Sequence, residues 1–161
     1  MEKELEILKT AIINEVEGYS FYRLAAEKAD NLEVRESFNM LAEEEKKHED
    51  WLRDLYRDIS QGGRVQPRAD EPEGKSPGIF RMENIKIESG SLEVSVLRIG
   101  ILMEKASIDF YREAAEKTEN PELKKLYEKL VNWEMKHMDS LEKFYEAARE
   151  DWWERQGFSP A

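Results

Sequence analysis

The stretch AEEEKKHEDWL, residues 42–52, recurs in altered form as VNWEMKHMDSL, residues 131–141. In the first stretch Glu45 precedes His48 by three positions, and the second stretch repeats this Glu-x-x-His spacing 89 residues later. The sequence has two histidines, and each has a glutamate three positions before it. On a helix, this spacing places both side chains on one face, one turn apart, where they can reach the same ion.

The offset of 89 residues extends without a gap beyond these stretches, so the sequence consists of two similar halves. The matched pairs are Glu15 with Glu104, Tyr22 with Tyr111, Glu45 with Glu134, His48 with His137 and Leu52 with Leu141. Each half therefore carries a glutamate, a tyrosine seven residues later, and then the Glu-x-x-His spacing. We interpret each half as one helical hairpin with a single glutamate on its first helix.

Apolar residues that recur every three or four positions predict four long helices, and hence an all-α fold. The predicted helices cover residues of about 3–30, 33–59, 91–118 and 121–152. The breaks inside each half are short, which favours antiparallel neighbours, and Pro121 suits the first turn of the fourth helix. The sequence thus predicts a four-helix bundle that forms a single domain over residues 1–161.

The segment between the halves, residues of about 60–90, has a different composition, with five of the eight glycines and three of the five prolines. A long helix cannot run through such a segment. At up to roughly 3.3 Å per residue it can travel the length of a 28-residue helix, about 42 Å. We therefore expect a long crossover that lets the second and third helices run parallel. A flexible linker between independent hairpins is the alternative, but an isolated hairpin buries too little surface to be stable.

The glutamates and histidines of the repeat interrupt apolar stripes, which predicts that they are buried. The stripe of the second helix is Val34, Phe38, Leu41, Leu52, Leu55 and Ile59, with Glu45 and His48 in its gap. Each buried charge costs several kcal/mol, and two divalent cations would balance four carboxylates while neutral imidazoles complete the shell. We therefore predict a two-metal site. Its predicted ligands are Glu15, Glu45, His48, Glu104, Glu134 and His137.

These motifs resemble the ferritin-like di-iron carboxylate superfamily, and most closely its rubrerythrin branch. The matching strings are Glu15-x-x-Gly18-x-x-x-Tyr22, Glu45-x-x-His48, Glu104-x-x-Ser107-x-x-x-Tyr111 and Glu134-x-x-His137. The resemblance implies that Glu45 and Glu134 bridge the metals, while Glu15 and Glu104 are terminal ligands. It further implies that each histidine binds one ion. A carboxylate-rich set with two imidazoles favours two Fe ions over zinc, and manganese or another divalent metal fits the same ligands.

Four neighbouring positions bear on this site. Tyr22 and Tyr111 are interpreted either as hydrogen-bond donors to ligating carboxylates or as ordinary core tyrosines. Gly18 and Ser107 are small and either leave room for a small substrate or permit close helix packing. Rubrerythrins that reduce peroxide usually carry a further carboxylate at the position of Ser107, so the resemblance does not extend to a shift of one iron between histidine and carboxylate.

The resemblance implies a non-haem di-iron oxidoreductase that reduces hydrogen peroxide or dioxygen. A ferroxidase or iron-handling protein of ferritin type is the first alternative, and a metal-free helical interaction module is the second. The chain has no cysteine, so it lacks a rubredoxin-type domain, and electrons have to come from an external donor such as rubredoxin. Relatives also lead us to expect a homo-oligomer, in particular a dimer, with exchange of helix pairs between chains permitted by the long crossover.

Composition limits the other partners. The formal net charge of −11 argues against nucleic acid and anionic membrane as partners. No apolar run of about 18 residues and no signal-like segment occurs, so a cytoplasmic location is expected. We expect the acidic pair Glu43 and Glu44 to form a solvated face, and Trp51 and Trp133 to serve in packing.

Overall fold

The computed structural model describes residues 2–29, 32–62 and 91–157, which form four long helices. They are α1 (Glu2–Lys28), α2 (Leu32–Ser60), α3 (Ser91–Lys117) and α4 (Pro121–Arg155). Each helix begins and ends within three residues of the predicted position. The prediction of an all-α four-helix bundle is confirmed.

The start of α4 shows how local sequence sets a helix boundary. Asn120 has extended backbone angles, and its side-chain oxygen accepts hydrogen bonds from the backbone N–H groups of Glu122 and Leu123 at 2.9 and 3.4 Å. Pro121 occupies the first turn, where its missing N–H would have no partner within the helix. The predicted placement of Pro121 is confirmed.

Side-chain contacts between helices fix their directions. Within the first hairpin, Arg23 on α1 donates to Asn39 on α2 at 2.8 Å, as expected for antiparallel helices joined by a short break. Between the hairpins, Tyr22 contacts Glu104 and Tyr111 contacts Glu15, so α1 and α3 are also antiparallel. It follows that α2 and α3 run parallel, as predicted.

The predicted crossover, residues of about 60–90, falls almost entirely outside the described residues. Its first positions belong to the end of α2 and the turn that follows, where Gly62 has a positive φ of 74°. Because α2 and α3 are parallel, Gly62 and Ser91 lie at opposite ends of the bundle.

The core consists of two apolar clusters separated by a polar layer. One cluster joins the beginnings of α1 and α4 to the ends of α2 and α3, with Leu8, Leu52 and Leu123 fully buried. The other occupies the opposite end of the bundle and includes Phe38, Leu41 and Phe144. Among the described helices, none is apolar over a long enough stretch to cross a membrane.

Candidate metal centre

The polar layer between the two clusters contains the repeated glutamates and histidines. All six are at most 6% exposed. They are Glu15 on α1, Glu45 and His48 on α2, Glu104 on α3, and Glu134 and His137 on α4. The structure therefore brings together all six side chains that the sequence predicted as ligands, with contributions from every helix.

The first group of potential ligands contains Glu15, Glu45, His48 and Glu134, whose donor atoms all lie within 4.8 Å of one another. His48 Nδ1 is 3.1 Å from Glu15 Oε2. The same nitrogen is 3.6 Å from Glu45 Oε2 and 3.7 Å from Glu134 Oε1. One imidazole nitrogen therefore faces three carboxylates.

The second group contains Glu45, Glu104, Glu134 and His137, again with donor atoms within 4.8 Å of one another. His137 Nδ1 is 3.2 Å from Glu134 Oε2 and 3.3 Å from Glu45 Oε1. It is 3.6 Å from Glu104 Oε1. Glu45 and Glu134 belong to both groups, and each directs one oxygen to each histidine. The two groups are related by the same internal symmetry as the two halves of the sequence.

The two tyrosines of the repeat lie beside this cluster. The Tyr22 hydroxyl donates a hydrogen bond to Glu104, and the Tyr111 hydroxyl donates one to Glu15. Each tyrosine thus contacts the glutamate of the opposite half, not the one two turns before it on its own helix. Burial and the nearby carboxylates raise the pKa of both tyrosines well above 10, so both hydroxyls keep the proton that they donate.

Burial and crowding dominate the electrostatics of the cluster. Loss of water and the neighbouring carboxylates raise the pKa of Glu45 and of Glu134 well above the usual 4.5. Burial acts the same way on Glu15, but the hydrogen bond and charge of His48 outweigh it and hold its pKa below 4.5. For His137, burial opposes protonation, yet the surrounding carboxylates raise its pKa well above 6.5. Without cations, protons therefore have to balance part of the negative charge.

The donor set fits divalent metal ions. Neither carboxylate oxygen of Glu134 makes a hydrogen bond, although the side chain is 1% exposed, and buried His137 Nδ1 is also without one. Buried polar atoms normally have hydrogen-bond partners. His137 Nδ1 and Glu134 Oε2 are 3.2 Å apart without forming a hydrogen bond, and a cation would be a partner for both. Carboxylate oxygens and imidazole nitrogens are the ligands that iron and manganese accept.

The two small residues near the cluster have different surroundings. A Cβ at Gly18 would lie 3.3 Å from Glu45 Cδ, so the missing side chain allows that carboxylate to approach α1 closely. Ser107 instead accepts a hydrogen bond from Asn14 Nδ2 at 2.9 Å, which links α3 to α1. The Ser107 side chain is therefore engaged in a contact between helices.

The prediction that Glu44 forms part of a solvated face is wrong. Its side chain is 21% exposed, and its Oε2 lies 2.7 Å from His137 Nε2. Helical periodicity turns this residue about 100° away from Glu45, which favours a solvated position. The contact between Glu44 and α4 depends on how the two helices pack, which periodicity along one helix does not show. The neighbouring Glu43 is exposed, as expected.

Trp133 is more closely associated with the cluster than the sequence indicated. Its ring stacks against the His48 imidazole, with centroids 4.7 Å apart and an interplanar angle of 4°. Trp51 packs against Trp133, with ring centroids 5.7 Å apart, in the packing role that the sequence predicted for it. Residue spacing along the sequence could not have indicated this stacked contact, because the two rings belong to different helices.

Comparison with known proteins identifies the class to which this fold and site belong, that of ferritin-like proteins. The rubrerythrin family model matches residues 6–145, which include most of each of the four helices and all six residues of the cluster. The chain therefore belongs to the rubrerythrin family, as the sequence motifs predicted. No curated protein sequence matches it at a significant level.

Solved structures with the same architecture include one at 30% sequence identity, a hypothetical protein from Pyrococcus furiosus. It has a TM-score of 0.65 and the match covers 89% of this chain and 88% of that one. A dodecameric thioferritin, the bacterioferritin-related protein from Bacteroides fragilis, is 20% identical, with a TM-score of 0.68 and coverage of 99% and 92%. The silver-bound form of CopM is 12% identical, with a TM-score of 0.62 and coverage of 89% and 96%. At 20% and 12% sequence identity, the last two similarities show a shared fold only.

Proposed function

We propose that this protein is a non-haem di-iron oxidoreductase that reduces hydrogen peroxide or dioxygen with electrons from a separate donor. The observation that carries the proposal is the pair of four-ligand groups that share Glu45 and Glu134. Two positions with two common carboxylates suit two adjacent ions far better than one. Glu45 and Glu134 would be shared by both ions, and Glu15, His48, Glu104 and His137 would each hold one.

Two iron ions bound there would supply the two electrons that, with two protons, convert one hydrogen peroxide to two molecules of water. The protein fixes the ligands before the substrate arrives. Tyr22 and Tyr111 hold Glu104 and Glu15 in fixed orientations through their hydrogen bonds. The apolar clusters on both sides of the layer exclude bulk water, which protects the reduced state from side reactions.

The same six side chains would hold the ions throughout the proposed reaction. The hydroxyl of Ser107 is occupied by Asn14, and among the described residues the two groups contain no carboxylate beyond the four glutamates. An exchange of histidine for a further carboxylate on one ion is therefore not part of the proposed mechanism. Within the described residues, the cluster also contains no second redox group, so electrons would come from an external donor, with rubredoxin as the family candidate.

An anaerobic Fe(II) titration followed by hydrogen peroxide tests the proposal. We expect two ions per chain, rapid loss of peroxide, and near-ultraviolet absorption of ferric iron after the reaction. The variant with both Glu45→Gln and Glu134→Gln is the control, because it retains the shape of the layer while removing the shared carboxylates. Equal iron content in this variant and the unaltered protein would contradict the proposed bridging roles.

Iron handling of ferritin type is the alternative that the architecture keeps open, since one structural neighbour is a dodecameric thioferritin. Storage needs a large hollow assembly, whereas we propose a smaller homo-oligomer, with a dimer as the expected form. Native mass spectrometry separates these two functions. A shell of twelve or more chains that retains many iron ions per chain would favour storage, and a chain that binds no metal would leave only the interaction module.

A further inference from the structure

The internal repeat allows the surroundings of the two histidines to be compared position by position. The residue before each shared glutamate is Glu44 in the first half and Trp133 in the second, and these positions are 89 residues apart. Both residues contact the histidine of the other half. The proposed ligands of the two groups are therefore of the same residue types at equivalent positions. The further side chains that contact the two histidines, Glu44 and Trp133, differ in type.

His137 has a carboxylate behind it. Its Nε2 is 2.7 Å from Glu44 Oε2, while its Nδ1 faces Glu134 and Glu45 at 3.2 and 3.3 Å. An imidazole that donates its Nε2 proton to a carboxylate keeps the Nδ1 lone pair free and aimed at the cluster. The same contact makes that lone pair a stronger donor to a metal ion.

Trp133, the repeat equivalent of Glu44, contacts the face of the His48 ring, whereas Glu44 contacts the Nε2 edge of His137. Trp133 stacks on His48 almost in parallel, which holds the plane of the imidazole. His48 Nδ1 also faces the cluster, 3.1 Å from Glu15. An indole offers a donor N–H and no acceptor, so it cannot increase the basicity of the imidazole as a carboxylate does.

We infer that the two ion positions are unequal, with the position at His137 binding the first ion more tightly because Glu44 supports that histidine. The inference rests on the proposed two-metal centre and adds to it an order of loading. Glu44 acts as a positioning residue, since it contacts the ligand and not the ion. Partners of this kind change metal affinity by about 10- to 100-fold, so the two binding steps should be separable.

Calorimetric titration of the metal-free protein with Co(II) tests the inference. We expect two steps of one ion each in the unaltered protein. In Glu44→Gln the tighter step should weaken by about 10- to 100-fold while the weaker step changes little, and Glu44→Asp should keep part of the effect. Glu43→Gln removes the same charge from the adjacent exposed residue and should leave both steps unchanged.

Variants with a single histidine assign the steps to positions. The charge-removing change Glu44→Gln should lower Co(II) affinity when it is combined with His48→Ala, which retains His137. Combined with His137→Ala, which retains His48, it should have little effect.

The outcomes distinguish this inference from the function on which it rests. Two equal steps in the unaltered protein, or an equal loss at both steps in Glu44→Gln, would overturn the unequal positions and leave the two-metal centre intact. Absence of Co(II) binding in every form, together with absence of iron binding, would overturn the proposed function itself.

Discussion

Glu134 is the residue at which burial and charge conflict most strongly. It is 1% exposed, neither of its oxygens makes a hydrogen bond, and burial together with three other glutamates raises its pKa well above 4.5. In the metal-free protein a charge at this position lowers stability, whereas in the proposed centre the same charge binds both ions. Stability and metal binding therefore make opposite demands on this side chain.

The substitution Glu134→Gln should separate these two demands. An amide keeps the shape but carries no charge, so we expect the metal-free variant to unfold at a higher temperature than the unaltered protein at neutral pH. We also expect occupancy of both ions to fall, because a shared ligand is lost. Calorimetric unfolding and elemental analysis measure the two effects, and Glu142→Gln, at an exposed site on the same helix, is the control. A metal-free variant less stable than the unaltered protein would argue against the charge conflict.

Gly18 gives a second prediction at the level of one residue. Alanine is favoured over glycine within a helix by about 1 kcal/mol, but a Cβ here would lie 3.3 Å from Glu45 Cδ. The Glu45 carboxylate then has to shift by a few tenths of an ångström. We expect Gly18→Ala to leave the metal-free protein as stable or more stable and to weaken Co(II) binding several-fold. Unchanged affinity would show that the close approach of Glu45 to α1 is not needed for metal binding.

At the level of elements, side-chain hydrogen bonds join α1 to α3 and to the residue that follows α3. The contacts are Tyr22 with Glu104, Tyr111 with Glu15, Asn14 with Ser107 and Thr118 with Glu4. The two tyrosine contacts are buried, whereas the other two are partly buried. A buried carboxylate that loses its donor costs more than the net value of an exposed hydrogen bond.

We therefore expect Tyr22→Phe to lower the free energy of unfolding of the metal-free protein by about 1–3 kcal/mol. The number of bound metal ions should not change, because the hydroxyl is not a proposed ligand. Urea denaturation and elemental analysis provide the measurements. Tyr19→Phe, at a half-buried position on α1, is the matched control and should have a smaller effect. A loss of metal from Tyr22→Phe equal to that from Glu134→Gln would make the hydroxyl a ligand in its own right.

The N-terminal cap of α4 should contribute to stability independently of the metal. Asn120 satisfies two backbone N–H groups at the start of the helix that carries Glu134 and His137. Asn120→Ala should lower the free energy of unfolding by about 1 kcal/mol. Asn120→Asp should retain most of the stabilisation that the cap provides, because its side-chain oxygen can accept the same hydrogen bonds. Metal content should stay the same in both, because the cap lies several turns from the cluster. Chemical denaturation of the three proteins checks this prediction.

At the level of the whole molecule, the cluster should make stability depend on pH. The pKa values of Glu45 and Glu134 lie well above the unfolded value of 4.5, and those of His48 and His137 lie above 6.5. Groups with raised values stabilise the fold below the unfolded pKa, and this contribution is lost as the pH rises through the folded pKa. Glu15, with a lowered pKa, acts in the opposite sense, and its contribution is lost as the pH falls below 4.5.

We therefore expect the metal-free protein to become less stable as the pH rises above 6.5, the ordinary pKa of histidine. Metal binding should show the reverse dependence, because protons compete for the same nitrogen and oxygen atoms, and bound metal should leave in acid. Unfolding at a series of pH values, with and without Co(II), measures both trends. Glu134→Gln should flatten the slope of the metal-free protein, which separates the cluster from the general effect of negative charge. Parallel slopes in the two proteins would be inconsistent with this origin.

The sequence by itself determined the fold class and the membership of the cluster. Periodicity of apolar residues is a local property, so it located four helices and the face of each helix that is buried. The interruption of two of those faces at Glu45 and His48, and again at Glu134 and His137, predicted that these polar groups share the interior. The exact offset of 89 residues added Glu15 and Glu104, because a repeated hairpin places equivalent residues at equivalent positions.

Only the tertiary structure decided which side chains touch across helices, because such contacts depend on how helices are rotated and offset against one another. Tyr22 follows Glu15 by two turns, yet its hydroxyl reaches Glu104 on α3. Glu44 belongs to an acidic run in sequence, yet it lies against His137 on α4, and Trp133 lies against His48. A helix face can be read from spacing along the chain, whereas the partner of that face is set by the packing of the whole bundle.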